Sequence, residues 1–408
     1  MSGVLEGVKV LEMGHVVAVP AAAATMADWG ADVIKVEPLT GDMARGIGLP
    51  ITAEEIAKAE KDYGNIGWYF QFLNRGKRGI ALNLKTKEGR DAFYKLVEWA
   101  EIFMTNYEVG TLEKLGAGYD TLKKINPSLV YAVLTGYGTV GPDKDERGFD
   151  YAAAWARSGL MYMMAEPNGT PPPQRGGMMD RVVGAHMVGG VLAALLHKNK
   201  TGKGQKLEFS LYQTGVWTDA EDIQPALLGR EPMRHDRTQA RNPIWNNYRT
   251  KDDRWFWLAN LQPDLTWSGF LKAIGRPELE SDERFNTIAT RYANSPELVK
   301  IIDAEMAKKT QAEWEVLFRQ HNVIYGRVQS PQEVIKDPQA LANDFFVPLH
   351  HPTATNVKVV ATPVKFIENP AKVTRSAPEI GQDTEEILLN LNYSWEDIAM
   401  LKEKGIIL

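Results

Sequence analysis

Cysteine is absent from the 408 residues, which removes disulfides, thiolate metal ligands and a cysteine nucleophile from the available chemistry. Long apolar runs are lacking too. The longest, over residues 16–27 and 188–196, fall short of the roughly 20 residues a membrane helix needs, and Pro20 interrupts the first. No membrane span is expected. The opening MSGVLEGVKV has no basic stretch followed by an apolar stretch and a small-residue cleavage site, so the chain reads as soluble and cytoplasmic. There is no excess of positive charge. The net charge is −5, and such a field does not favour nucleic acid, whose binding depends on phosphate neutralisation. Equally missing are a G-x-G-x-x-G fingerprint, a P-loop, a G-x-S-x-G elbow and any metal-spaced set of His, Asp and Glu. Nicotinamide, flavin and a resident metal are therefore not expected, and no cofactor is expected to be bound permanently.

What is present is globular: 44% hydrophobic and 24% charged residues, on a chain long enough for two domains. GVKVLEMGH reads as a buried strand, AVPAAAATMADWGA as a small-residue helix and DVIKVEP as a second strand. That βαβ unit implies a parallel sheet with a right-handed crossover. GIALNL, IFMTN and LVYAVLTGYG continue as strands, with helices KEGRDAFYKLVEWA and YDTLKKIN between them. The expected architecture is a doubly wound, Rossmann-like α/β domain over residues 1–215 and 335–408, with a smaller α+β domain over 220–330. The second helical stretch after Gly141, DRVVGAHMVGGVLAALLHKNK, runs into TGKGQ and a strand KLEFSLY; later, NNYRTKDDRWFWLAN alternates like a hairpin.

Several residues could carry chemistry. Arg75, Lys77, Arg78, Lys85, Lys87 and Arg90 cluster in an otherwise acidic protein, either as a solvated face or as a phosphate clamp. His15 ends the first strand, where open α/β sheets bind ligands. Asp150 in GFDYAAAWARSG stands directly before a helical pattern, where an Asp caps first-turn N–H groups. Asp180 follows the Gly-rich loop QRGGMMD and precedes a helix carrying Gly184, Gly189 and Gly190, which permit close approach of backbone or ligand. On the residues alone, Asp180 is a cap or a nucleophile.

The string LEGVKVLEMGHVVAVPAAAATMADWGADVIKVEPLTGDMARG resembles the N-terminus of family III CoA-transferases, the group of formyl-CoA transferase and the carnitine and bile-acid CoA-transferases. NRGKRGIALNLKTKEGR, TNYEVGTLEKLG, LTGYGTVGPDKDERGFDY, MMDRVVGAHMVGGVLAALLHKNKTGKGQKLEFSLYQ and the ending APEIGQDTEEILLNLNYSWEDIAMLKEKGII continue the likeness over nearly the whole chain, least between 220 and 330. The resemblance implies that Asp180 is the nucleophile. It implies CoA contacts at Val17, Ala18, Leu82, Asn83, Leu84, Lys85, Asn106, Tyr107, Lys114 and Arg147. Pro38 and Lys114 stand where formyl-CoA transferase has arginines, which shifts the expected phosphate contacts toward Lys77 and Arg78. The Gly-rich loop of formyl-CoA transferase is missing, so formate and oxalate are not the expected substrates.

The same fold serves 2-methylacyl-CoA racemases, whose G-H-D motif here reads GFD, with Phe149 in place of the proton-transferring histidine. The expected partners are an acyl-CoA donor and a free carboxylic acid, with an aryl- or alkyl-substituted acceptor such as an aromatic 2-hydroxy acid or benzylsuccinate. The expected intermediate is an aspartyl-CoA thioester, which needs neither ATP nor metal. The resemblance implies an interlocked dimer as well, a homodimer or a heteromer. The rivals are an isomerase and a non-catalytic subunit of a heteromeric transferase.

Overall fold

Largely apolar runs in the strands mark a parallel sheet covered on both faces, and the computed structural model, which describes residues 3–48, 52 and 67–408, has that arrangement. The strands are β1 (Lys9–Met13), β2 (Asp32–Glu37), β3 (Arg78–Ala81), β4 (Ile102–Thr105), β5 (Val130–Thr135) and β6 (Gln205–Ser210). Their order is β3-β2-β1-β4-β5-β6, with every pair parallel. The chain winds one way from β1 and the other way from β4, so the doubly wound expectation holds. The gap beyond the carboxyl ends of β1 and β4 is the switch point at which such sheets take ligands.

Alternation along the strands splits the core into two layers. Val10, Ile102, Met104, Val130 and Ala132 face α1 (Ala18–Asp28) and a long helix, Met178–Thr201. Leu11, Met13, Phe103, Tyr131 and Val133 face the other way, toward the helix Lys87–Trp99 and the C-terminal helices. Between α1 and that last helix lies α2 (Trp68–Asn74), so Lys87–Trp99 is α3, followed by α4 (Val109–Leu115), α5 (Tyr119–Ile125), α6 (Met178–Thr201) and α7 (Leu211–Thr218). Helix α3 is amphipathic: Ala92, Phe93, Leu96 and Val97 are buried, and Thr86 caps it by accepting from the Gly89 N–H.

Helix α1 is alanine-rich for a different reason. It packs on the sheet beside α6, and a Cβ at Gly184 of α6 would sit 3.1 Å from the Ala18 carbonyl oxygen. Only small residues allow that approach. Among the described residues α6 is the one helix long and apolar enough to cross a membrane by length and composition, with a mean hydropathy of 1.4. Its Val183, Met187, Val188 and Val191 nevertheless belong to the core on this face of the sheet, and the helix itself packs over β5 and β6.

Two local expectations change. The strand expected through KLEFSLY stops at Ser210, whose hydroxyl accepts from the Gln213 N–H and starts α7 at Leu211. Residues 82–84 leave the sheet after Ala81 and form a loop instead.

The chain divides into two compact units. The first holds Met1–Met161, Pro173–Leu227 and Gln339–Leu408, and the second Tyr162–Pro172 and Leu228–Pro338. The second has a three-stranded antiparallel sheet, β7 (Trp245–Arg249), β8 (Trp255–Ala259) and β9 (Tyr325–Arg327), of which β7 and β8 are the expected hairpin. Tyr248, Phe256, Trp267, Phe270, Trp314 and Phe318 fill its core. Trp217, by contrast, is in the first unit and 69% exposed.

Helix α7 packs against a single π-helical turn, Tyr151–Ala156, through Gly215, where a Cβ would fall 2.2 Å from the Ala154 carbonyl oxygen. Backbone cannot yield as a flexible side chain does. Gly215→Ala should lower unfolding stability by about 1–3 kcal/mol in denaturant titration; an unchanged midpoint would contradict this packing.

Candidate active site

The turn that leaves β1 at the switch point is strained. Val16 has φ 63°, a left-handed conformation that a β-branched residue avoids. Side chains from neighbouring loops hold it there. The Asn106 amide accepts from the His15 N–H and donates to the His15 carbonyl, both at 2.9 Å. Asp42 Oδ1 accepts from the Val16 N–H at 3.1 Å. The His15 ring stands edge-on to Tyr107, with centroids 5.0 Å apart. Burial lowers the His15 pKa and outweighs the pull of the Asp42 carboxylate, which leaves the imidazole neutral near pH 7.

Beneath the turn lies a buried charge network. Lys35 Nζ meets Glu12 Oε1 at 3.0 Å, Asp42 Oδ2 at 3.0 Å and the Gly14 carbonyl at 2.8 Å. Lys77 Nζ meets Glu12 Oε2 at 2.6 Å, Asn74 Oδ1 at 2.8 Å and the Pro20 carbonyl at 2.9 Å. Burial alone would depress Lys35, but the Glu12, Asp42 and Glu37 carboxylates reverse that and raise it. For Lys77 burial wins over Glu12, and Lys35 adds repulsion, so its pKa falls to about 8.

Beside the turn opens a cleft of about 430 Å³, lined by Met13, Glu37, Leu82, Lys85, Tyr107 and Thr111 among others. Of the expected contacts, Leu82, Asn83, Leu84, Lys85 and Tyr107 meet there. The loop keeps its shape because Arg90 donates to the Leu84 and Lys85 carbonyls and the Asn83 N–H donates to the Ile406 carbonyl. Lys85 is exposed, and among the described residues it is in no ion pair. Lys114 is exposed on α4 between the lining residues Thr111 and Leu115. Val17 and Ala18 are buried at the start of α1.

Three expected cations differ. Lys77 is 0% exposed and wholly enclosed by the network above, so its ammonium offers no face to a phosphate. Arg78 is engaged with Asp32 at 2.8 Å and Glu386 at 3.2 Å. Arg147 is exposed and pairs with Glu108 at 3.2 Å.

Asp180 stands in the first turn of α6, which starts at Gly177 (φ 65°) with no side-chain cap. A Cβ at Gly177 would lie 3.1 Å from both Val17 methyls and 3.3 Å from the Tyr69 hydroxyl, so α6 and α1 begin side by side. The Asp180 carboxylate is half-buried and, among the described residues, makes no hydrogen bond or ion pair. Burial first, then the like charge of Asp150, lift its pKa to about 7, and Arg181 only partly offsets them. Arg181 is directed elsewhere, donating to the Gly176 and Gly177 carbonyls.

Asp150 does not cap the helical turn that follows it. Its own backbone is already helical, its carboxylate makes no cap bond, and the chain enters a π turn, a feature that often marks functional positions. Its carboxyl lies buried against the Asp180 N–H and the Gln174 side chain, and burial raises its pKa. Among the described residues neither polar atom of Gln174 has a bond of normal geometry, and Asp150 Oδ2 is likewise unpartnered.

Sequence reasoning passed over Glu12, Lys35, Asp42, Tyr69 and Gln174. The available signal was a charged residue inside each of two apolar strands, KVLEM and DVIKVE. A buried strand keeps such a residue only when a partner meets it.

The model of CoA-transferase family III matches residues 5–384. (R)-2-Hydroxy-4-methylpentanoate CoA-transferase of Clostridioides difficile is 36% identical over 99% of both chains. Cinnamoyl-CoA:phenyllactate CoA-transferase of Clostridium sporogenes is 33% identical over 99% of this chain and 98% of its own. A CAIB/BAIF family protein from Brucella suis superposes with a TM-score of 0.83 at 28% identity, covering 96% of this chain and all of that one. The chain belongs to CoA-transferase family III and is a CoA-transferase.

The elevated Asp180 pKa has a stability consequence. The folded state holds this proton more tightly than the unfolded chain, so ionising Asp180 destabilises the fold progressively from about pH 4 to about pH 7 and no further above that. The advantage of Asp180→Asn over wild type in unfolding free energy should grow across that window to a total on the order of 4 kcal/mol. A difference that stays flat from pH 4 to 7, followed by denaturant titration, would contradict the shift.

Proposed function

From family membership as premise, we propose that the enzyme moves CoA from an acyl-CoA to a free carboxylic acid through a covalent intermediate on Asp180. One observation carries this reading: an uncapped, unpaired carboxylate with a pKa of about 7 at the start of α6, beside the turn that borders the switch-point cleft. Such a group is ionised in useful fraction at neutral pH and is more basic than an ordinary carboxylate, which favours attack on a carbonyl.

In the proposed sequence Asp180 attacks the thioester carbonyl, the C–S bond breaks, and the CoA thiolate leaves with its electron pair. The product is a mixed anhydride. The thiolate then attacks the Asp180 carbonyl, giving aspartyl-CoA and releasing the donor acid as its carboxylate. The acceptor carboxylate attacks aspartyl-CoA in turn, and the thiolate returns to the acceptor carbonyl, restoring Asp180. No proton is gained or lost overall.

The cleft residues Leu82, Asn83, Leu84, Lys85 and Tyr107, with His15, Val17, Ala18, Asn106 and Lys114 at its margins, are proposed to hold CoA. Lys85 is the ammonium available to a phosphate. First-turn N–H groups of α1 and α6 other than that of Asp180, which faces Asp150, are left without a bond from their own N-cap side chains and are suited to developing oxyanions. Phe149, 64% exposed, and Tyr151 adjoin Asp150 and supply apolar surface for a branched or aromatic acid, the kind named in the two relatives. Phe149 has no proton to transfer, which disfavours racemisation. The exposed Leu196 and Trp217 of α6 and α7 support association with a second copy.

Asp180→Ala should abolish transfer while leaving the fold and CoA-ester binding intact by circular dichroism and calorimetry; near-normal turnover would refute the nucleophile. Lys85→Glu should weaken CoA-ester affinity about fivefold, and less so at high salt. Identical affinities at two salt concentrations would remove Lys85 from the site.

A further inference from the structure

Val16 occupies a backbone conformation that its own side chain disfavours, so something outside the turn must hold it. The Val16 N–H goes to Asp42 Oδ1 at 3.1 Å, and the same oxygen accepts from the Ala44 N–H at 2.9 Å. Asp42 Oδ2 is ion-paired with Lys35 at 3.0 Å. The Asp42 N–H donates to Glu37 Oε1 at 2.8 Å, and Arg45 grips Glu37 at 2.9 and 2.7 Å. Lys35 in turn holds the Gly14 carbonyl at 2.8 Å. Both sides of the turn, the carbonyl of Gly14 and the N–H of Val16, are thus fastened to one buried ion pair. Space is tight at the same place, for a Cβ at Gly14 would lie 2.5 Å from a Val19 methyl.

The turn leads directly into Val17, which begins α1 and packs on Gly177, three residues before Asp180. The position of the Asp180 carboxylate relative to the cleft therefore passes through the conformation of Val16. We propose that Asp42 is the positioning residue of this enzyme: its carboxylate, anchored by Lys35, locks the strained Val16 turn and so sets α1 against the start of α6 in the geometry that Asp180 needs for attack. Asp42 itself touches no substrate. The role rests on the reading of Asp180 as nucleophile.

A purely structural Asp42 would neutralise Lys35 and do nothing specific to Val16. The two roles separate because glycine adopts a positive φ without penalty. Val16→Gly removes the need for the lock but restores no partner to Lys35. Asp42→Asn keeps an acceptor for the Val16 N–H while removing the negative charge.

The readout is the rate at which acyl-CoA acylates Asp180, trapped with hydroxylamine and measured as hydroxamate on the tryptic peptide 176–181. Asp42→Ala should slow trapping about 10²-fold, the order expected when a reacting group is displaced by an ångström or so. Adding Val16→Gly should recover about tenfold or more of that loss, and Asp42→Asn should stay within about threefold of wild type. The proposal is overturned if Asp42→Ala is trapped at the wild-type rate, if Val16→Gly recovers nothing, or if Asp42→Asn is as slow as Asp42→Ala. Should Asp42→Ala not fold, the same criterion applies to folding: restoration by Val16→Gly supports the lock, and failure to restore overturns it. Wild type that is never trapped at Asp180 refutes the functional reading and this role with it. Trapping of wild type with equal trapping of Asp42→Ala refutes the role alone.

Discussion

The buried ion pair between Lys35 and Asp42 joins the charge network under β1 to the strained Val16 turn. It belongs to a set of three carboxylates, Glu12, Glu37 and Asp42, and three cations, Lys35, Lys77 and Arg45, in which the Glu37–Arg45 pair is tied to the others through the Asp42 N–H. The sum is neutral, and neutrality is what lets so many charges stay inside a sheet protein. Buried pairs of this kind contribute little net stability over apolar packing, but losing one partner strands a charge at roughly 3–5 kcal/mol. The arrangement is therefore best understood as a specifier of geometry. A positive-φ valine costs about 1–3 kcal/mol, and a hydrogen bond to a charged acceptor contributes about 1.5–3 kcal/mol. The Asp42 contact is of the right size to hold the turn.

A second electrostatic arrangement, opposite in kind, surrounds Asp180, the proposed nucleophile. Where the network under β1 pairs unlike charges, Asp150 and Asp180 place like charges together in a partly dry site, and both carboxyls are raised. Nothing nearby cancels the pair, since Arg181 is turned onto backbone carbonyls. Perturbed groups of this sort collect at functional sites because the imbalance itself is useful. Satisfied charges fasten the Val16 turn, and unbalanced ones surround the carboxylate proposed as nucleophile.

The sheet and its doubly wound order were legible because buried strands and amphipathic helices differ in period, as GIALNL and KEGRDAFYKLVEWA do. Asp180 was legible as a candidate from its Gly-rich approach and as a nucleophile only through family likeness. The features that escaped depend on the third dimension. Lys77 and Lys85 lie in one basic run, yet Lys77, just before β3, is held under α1 and the loop beyond β3 releases Lys85 into the cleft. Asp150 has the sequence signature of a cap, yet the π turn aims its carboxyl at Asp180 instead. The strain at Val16 has no sequence mark at all, because valine is the wrong residue for that conformation, and only the groups around it explain it.

A nucleophilic Asp180 requires that oxygen pass through its carboxylate during CoA transfer. In the proposed sequence the acceptor acid gives one carboxylate oxygen to Asp180 each time the anhydride is resolved toward product. An acceptor labelled with heavy oxygen in both carboxylate positions, used for a single turnover, should add the mass of one heavy-oxygen exchange to the tryptic peptide 176–181 and to no other. Transfer that proceeds while this peptide stays unlabelled would contradict covalent catalysis by Asp180.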